Sequence, residues 1–502
     1  MITLIRKLYQ INILKPRGFY VFVKAVLING TNLMSVLEFS ARLNPQKKAI
    51  SSNGETRTYH ELSDDCRKLA FSLLSKFNLR PKQRVAIICR NNLQAVQSTY
   101  ALSRLGVHIY FLNTEISEFQ IKEVVEHKKI DLLIYDDSLE FKVNSIFCQK
   151  LKSSEIKHLI HSTELKTKIK KYKAGDLIIL SGGTTGKPKS AKRKPSIGDF
   201  LNPLVALLSQ LNLNKYKSVY IATPFFHGFG LASLIMSVLL GSEIHLLERF
   251  DAKKVCKMVE SNQIEVVTLV PIMLKRMIDE DVNDLKPIQR IICGGAKLDQ
   301  ELAKQTLNEL GDVLFNLYGT TEAGFSILAD PKALKLNPLT IGKPIRGVSL
   351  KVINNKGEAL NKNEIGQIHL SNSWMMNNSK ESWINTDDLG YVTDSGLVFL
   401  AGRSDNMIIS GGENVYPDEV ENILIKHPNV SEVAVIGTPD IHFGERLIAF
   451  VVLTKHSDKE DKILNWLKSR VARYQMPKKI IILKKLPRTA IGKVDKKALV
   501  LD

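Results

Sequence analysis

From about Asp176 onward, short apolar runs along the chain stop at glycine- or proline-containing turns, and helical spacing follows several of them. Residues 177–180 run into Ser181-Gly182-Gly183. Residues 265–270 end at Pro271, and apolar positions then recur at helical intervals over 272–278. Residues 288–293 end at Gly294-Gly295-Ala296 before a helical stretch at 298–310, and 313–317 stop at Tyr318-Gly319. Apolar runs this short, bounded by turn residues, suit strands buried on both faces. Strands alternating with helices predict an α/β protein rich in parallel sheet. Ligands of such sheets bind beyond the carboxyl ends of the strands, so these turns are where chemistry is expected.

The last hundred or so residues read as a separate small α/β unit. Pro417 opens a helix with Val420, Ile423 and Leu424 on one face; 433–436, 447–453 and 479–483 read as strands and 459–474 as an amphipathic helix. The boundary falls near Arg403 to Asp405. The expected organisation is a basic N-terminal extension (1–31), a large domain of packed α/β subdomains (32–402) and a small, mobile α+β C-terminal domain (403–502). Residues 218–242 contain no Asp, Glu, Lys or Arg, but Pro224, His227 and Gly228 interrupt them. A buried strand at 219–222, a turn and a buried helix at 231–240 account for the stretch better than a membrane span.

Composition adds a charge to be explained. Lys and Arg number 71 against 51 Asp and Glu, a formal +20, which suits polyanionic ligands, an acidic membrane surface or nucleic acid. Neither zinc-finger spacing nor an aromatic–basic patch supports nucleic acid. The five cysteines are scattered, with no Cys-x-x-Cys pair; this argues against a disulfide framework or structural zinc and suits a reducing cytosol. Near the N-terminus Arg6, Lys7, Lys15, Arg17 and Lys24 interleave with apolar residues and no acid. No compact apolar core with a small-residue cleavage site follows, so the segment does not read as a signal peptide. It suits either an anionic membrane surface or packing on the domain. The expected location is the cytoplasm, with the inner membrane surface as an alternative.

The most informative segment is Ser181-Gly182-Gly183-Thr184-Thr185-Gly186-Lys187-Pro188-Lys189. Its glycines let backbone N–H groups turn toward an anion, and its threonines and lysines add hydroxyl donors and charge. It is not a Walker A loop, because Ser181 and Pro188 stand where that spacing needs Gly and Ser or Thr. Four more segments follow: Tyr318-Gly319-Thr320-Thr321-Glu322; Thr386-Asp387-Asp388 with Gly402-Arg403; Gly411-Gly412-Glu413-Asn414-Val415-Tyr416-Pro417; and Gly492-Lys493. In this order, and over residues 32–497, the chain resembles acyl-CoA synthetases of the adenylate-forming superfamily.

The resemblance implies ATP, Mg²⁺ and coenzyme A as ligands, and a carboxylate attacking the α-phosphate, where neutralising charge is the main task. It assigns the β- and γ-phosphates to Ser181, Gly183, Thr184, Thr185, Gly186 and Lys189, magnesium to Glu322, and a phosphate contact to Thr321. Asp388 would accept from the ribose hydroxyls, with Arg403 on ribose and phosphate. Gly294, Gly295, Ala296 and Tyr318 would line the adenine and acyl sites. Lys493 would bridge carboxylate and α-phosphate, Asp405 would be the hinge, and Gly411, Gly412 and Asn414 would make room for pantetheine. His227 would gate or line the acyl pocket, where amino-acid-activating relatives place an Asp.

Three positions depart from the pattern: Gly182 for a hydroxyl residue, Ser190 for Gly, and Asp387 for the Gly of Thr-Gly-Asp; the stretch 367–387 is also short. The resulting expectation is a ligase for medium- or long-chain fatty acids, forming acyl-CoA through an acyl-adenylate. The alternatives are an aryl or other acid–CoA ligase, a catalytically weak acyl-binding or carrier-partner protein, and an amino-acid-activating domain.

Overall fold

The computed structural model describes residues 2–164, 169–181, 189–193, 197–354, 356–375, 383–403, 407–454, 459–487 and 494–499. One six-stranded sheet runs in the spatial order Gln149–Lys152, Leu132–Tyr135, Arg84–Ile88, His108–Phe111, Leu177–Ser181, Lys189–Arg193. Its neighbours are parallel except the last pair. A second, thirteen-stranded path holds a parallel run: Lys48–Ser52, Glu243–Leu246, Ser218–Ile221, Val266–Leu269, Arg290–Gly294 and Leu314–Thr320. Antiparallel strands continue it from Gly324–Ala329 through Thr340–Pro344, Val398–Arg403 and Ile384–Val392 to Gly366–Ser371 and Ser349–Ile353.

Local sequence explains these elements. Val266–Leu269 and Ser218–Ile221 are buried at every position, as strands covered on both faces must be. Pro271 sits in the first turn of helix Pro271–Glu280, where its missing N–H costs nothing. Asp299 caps helix Gln300–Leu310 by accepting from the N–H groups of Glu301 and Leu302. The expected membrane-like stretch is strand Ser218–Ile221 and helix Gly228–Leu240. Among the described residues no helix is long and apolar enough to cross a membrane. Leu231, Leu234 and Val238 of that helix join one core cluster with Ile87, Ile109 and Leu317, so the two sheets share a core. Each such side chain contributes about 1.5–3 kcal/mol of burial.

The C-terminal sheet comprises Glu413–Val415, Ile408–Ser410, Gly444–Leu453, Val430–Asp440 and Lys479–Ile482. Val420 and Leu424 of helix Pro417–Leu424, and Ile463 and Leu467 of helix Glu460–Lys468, pack on it. The helix expected over 459–474 ends early, at Lys468. Beyond it Ala472 leaves helical register and is buried with Tyr110, Ile116 and Val124 of the large unit. Ahead of Leu33 lie helices Ile2–Gln10 and Pro16–Asn29, the second packing Val21 and Ala25 against Phe39.

Candidate active site

A cavity of about 2500 Å³ opens where the parallel strands of the large sheet end, and the C-terminal unit covers part of it. Val270, Gly295, Ala296 and Tyr318, all at or just beyond strand ends, are on its wall. Gly294, assigned to the same wall, is placed elsewhere: it is buried in strand Arg290–Gly294 and does not line the cavity. A Cβ there would stand 2.6 Å from the Leu317 carbonyl oxygen, so its bareness serves the packing of neighbouring strands.

One wall is a polar cluster built by strand register. Asp388 and Arg403 face each other across antiparallel strands Ile384–Val392 and Val398–Arg403. Arg403 Nη1 donates to Asp388 Oδ1 at 2.8 Å, and the Tyr318 hydroxyl donates to Asp388 Oδ2 at 2.5 Å. Burial, with the Asp388 charge beside it, pushes the Tyr318 phenol well above its ordinary value. The carboxylate of Asp388 is thus fixed from two sides. Asp387 beside it has φ +59°, the left-handed region that the usual glycine would supply and that Asp tolerates better than most residues.

Thr321 and Glu322 occupy the turn between strands Leu314–Thr320 and Gly324–Ala329, on the cavity wall. The turn is held by the Ala323 N–H donating to Thr320 Oγ1 at 3.0 Å. Ser181 and Lys189 are register partners at the loop end of hairpin Leu177–Ser181/Lys189–Arg193, and Ser190 pairs with Leu180. The loop between them, with Gly182, Gly183, Thr184, Thr185 and Gly186, lies outside the described residues. So do Asp405 and Lys493. Val494, next to Lys493, packs on the C-terminal unit's own Ala434, Ile448 and Phe450.

His227 is the N-cap residue of helix Gly228–Leu240 and lines the cavity against Phe226. Its Nε2–H donates to Glu413 Oε1 at 3.0 Å, joining the large unit to hairpin Ile408–Ser410/Glu413–Val415 of the small one. Burial pulls the imidazole down, but the charge and hydrogen bond of Glu413 outweigh it, and His227 titrates above its ordinary value. Gly411, Gly412 and Asn414 of the same hairpin line the cavity. Gly412 has φ +92°, and a Cβ on it would meet Val270 Cγ1 at 3.4 Å, so the hairpin seats closely on the large unit. Gln120 Nε2 donating to Gln475 Oε1 at 3.0 Å, and Arg276 to the His442 carbonyl at 2.8 Å, hold the units together elsewhere.

Sequence reasoning missed Glu413 as the partner of His227, 186 residues away. Its presence in the Gly-Gly-Glu-Asn motif was the available signal. Phe229, Phe325 and Trp374 on the cavity wall were missed too.

A cavity at the ends of parallel strands, with a polar Asp388–Arg403–Tyr318 cluster on one wall and a second unit across it, has room for an acid, a nucleotide and a thiol. In class this is an adenylate-forming acid–thiol ligase. The chain belongs to the AMP-binding enzyme family, whose model matches residues 37–378; the AMP-binding enzyme C-terminal domain matches 419–493. It is similar to the 2-succinylbenzoate–CoA ligase of Listeria monocytogenes, at 31% identity over 92% of this chain and 98% of that one. Among solved structures, a double mutant of o-succinylbenzoate CoA synthetase from Bacillus subtilis bound to a product analogue superposes with TM-score 0.84, at 27% identity over 92% of this chain and 98% of that one. The same enzyme with its acyl-adenylate intermediate gives 0.68 at 27% identity, over 92% and 97%. The chain is an AMP-forming acid–CoA ligase working through an acyl-adenylate, with ATP, Mg²⁺ and coenzyme A as its ligands. The relatives' printed acid is aryl, which favours the aryl alternative over the fatty-acid expectation.

Proposed function

We propose that the substrate is an aryl or arylalkyl carboxylic acid and the product its coenzyme A thioester. The observation that carries this reading is the aromatic acyl wall: Phe226, Phe229, Phe325 and Trp374 all line the cavity. Phe229 and Phe325 meet edge to face at 5.9 Å and 90°, and Trp374 Nε1–H donates to the Phe325 carbonyl at 3.2 Å. Rings fixed in this way offer faces and edges to a further ring. Helix Gly228–Leu240 contributes no charged side chain to the wall. Lys297, beside Ala296 on the cavity wall, would supply the cation for a second carboxylate such as that of 2-succinylbenzoate.

In this reading Asp388, held by Arg403 and Tyr318, accepts from the ribose hydroxyls. Residues 181–189 neutralise the β- and γ-phosphates, and Thr321 contacts phosphate. Mg²⁺, when bound, offsets phosphate charge, and Glu322 is the carboxylate that would hold it; one carboxylate plus substrate phosphates is an ordinary donor set for this cation. Lys493 bridges the attacking carboxylate and the α-phosphate as pyrophosphate leaves. Residues 411–414 then border the path of the thiol, whose sulfur bonds to the acyl carbon as the bond to AMP oxygen breaks.

A second reading rests on a different observation. The cavity continues past the rings along Leu204, Leu207, Met236 and Leu239 to Phe22 and Val26, an apolar extension that suits an alkyl tail. Pyrophosphate release and thioester formation across 2-succinylbenzoate, benzoates, phenylalkanoates and saturated fatty acids separate the two. An aryl preference of about tenfold or more in kcat/KM supports the first. An equal or larger value for fatty acids replaces it with the second. Silence with every acid, from folded protein that binds ATP, removes both in favour of an acyl-binding protein.

A further inference from the structure

The family match begins at residue 37, so helices Ile2–Gln10 and Pro16–Asn29 lie ahead of it. The second helix has three distinct faces. Gly18, Val21, Ala25 and Asn29 are buried on one, toward helix Leu33–Leu43. Phe22 and Val26 line the apolar end of the cavity on another. The third faces outward and is also apolar: Phe19, Tyr20 and Leu27 are 53%, 63% and 60% exposed, with Val23 and Ile28 beside them. Eight of the sixteen exposed large apolar side chains among the described residues fall between Ile5 and Ile28. Single exposed apolar residues need no explanation, but a contiguous patch on a helix whose inner face is already apolar does.

The charges around this patch have one sign. Arg6, Lys15, Arg17 and Lys24 are exposed, and residues 1–31 contain no Asp or Glu. Lys15 Nζ stands over the Tyr9 ring and Lys24 Nζ over the Tyr20 ring, each at 5.6 Å from the centroid. Lys7 is spent inward, donating to the Leu208 carbonyl at 2.9 Å. Aromatic rings, aliphatic side chains and cations without carboxylates match the headgroup layer of an anionic membrane: rings at the headgroup level, ammonium and guanidinium groups on phosphates, and alkyl stems below. A second copy of the same face would set cations against cations. The helix has 14 residues, fewer than the roughly 20 a span requires, so it can lie only in the plane of the interface.

We propose that this N-terminal helical pair docks on the surface of an anionic lipid bilayer, bringing the apolar end of the acyl cavity to the lipid. The docking does not depend on which acid the enzyme activates. Sedimentation of the full chain with vesicles of equal phosphatidylglycerol and phosphatidylcholine, against pure phosphatidylcholine, tests it. Each exposed cation near the surface is worth about fivefold in partition. The anionic vesicles are therefore expected to retain the protein at least about tenfold better, with the advantage shrinking as NaCl is raised. The triple variant Phe19→Ser, Tyr20→Ser, Leu27→Ser changes only exposed side chains; its partition should fall by about tenfold or more while ligase activity in vesicle-free buffer is kept. Equal retention on neutral vesicles, or unchanged binding by the triple variant, overturns the proposal. So does a concentration-dependent dimer, seen in sedimentation equilibrium, that the triple variant abolishes, since a second copy would then cover the face.

Discussion

Glu413→Gln keeps the size and hydrogen-bonding reach of the side chain and removes the charge that faces His227. The His227 side chain is 35% exposed and that of Glu413 17%, so solvent screens the pair. Its worth is that of a surface ion pair, about 0.5–1 kcal/mol, rather than that of a buried one. Because the contact joins the two units, its loss should lower the population of this domain arrangement about two- to fivefold. The pH dependence has a definite sign. His227 titrates above its ordinary value of 6.5, so the stabilisation is complete below that value and fades as pH rises through the raised one. Glu413→Gln should therefore slow thioester formation from supplied acyl-adenylate about two- to fivefold near pH 6 and scarcely at all near pH 9. ATP–pyrophosphate exchange should not slow. The same loss at both pH values, or an equal loss in both half-reactions, would refute the assignment of the pair as a latch.

Tyr318→Phe removes a donor to Asp388 worth about 0.5–1.5 kcal/mol; steady-state kinetics should show KM for ATP rising about two- to tenfold. Gly412→Leu places a branched side chain at φ +92° against Val270; thioester formation from acyl-adenylate should drop by more than about tenfold while adenylation persists. Asp387→Asn keeps a residue that tolerates the left-handed conformation and removes an exposed negative charge from the cavity wall beside Asp388. KM for ATP should fall about two- to threefold at low ionic strength, the difference closing in high salt; a rise in KM would sink this reading.

Much of the fold was legible because parallel strands must be buried on both faces and must end in tight turns. The strands expected at 265–270, 288–293 and 313–317 are Val266–Leu269, Arg290–Gly294 and Leu314–Thr320, each displaced by no more than a few positions. The helix expected over 459–474 was overlong because apolar spacing does not distinguish which unit a side chain serves. Ala472 fits the periodicity, yet it is buried against the large unit. Gly294, at a strand end, leaves room for the Leu317 carbonyl, a packing need that the sequence alone does not show. The aromatic part of the cavity wall was illegible for a further reason. Phe229, Phe325 and Trp374 come from three separate segments that only tertiary packing brings together, whereas the Asp388–Arg403 pair is set by a short antiparallel register.

The arrangement of the C-terminal unit makes sense of two motifs that a sequence can only place side by side. Hairpin residues Gly411 to Asn414 stand at the cavity. Val494, adjoining Lys493, is packed with Leu486 and Leu499 on its own unit, and Lys496 is paired with Glu421 at 2.8 Å and Asp418 at 3.1 Å. Both motifs belong to one small body, and the His227–Glu413 contact commits that body to the hairpin. Strand Val398–Arg403 closes the large sheet and strand Ile408–Ser410 opens the small one, so the two units join within a few residues of Arg403. Charge and geometry then divide the work. The glycines keep the hairpin low enough to seat against Val270, and the His227–Glu413 contact ties it to the large unit.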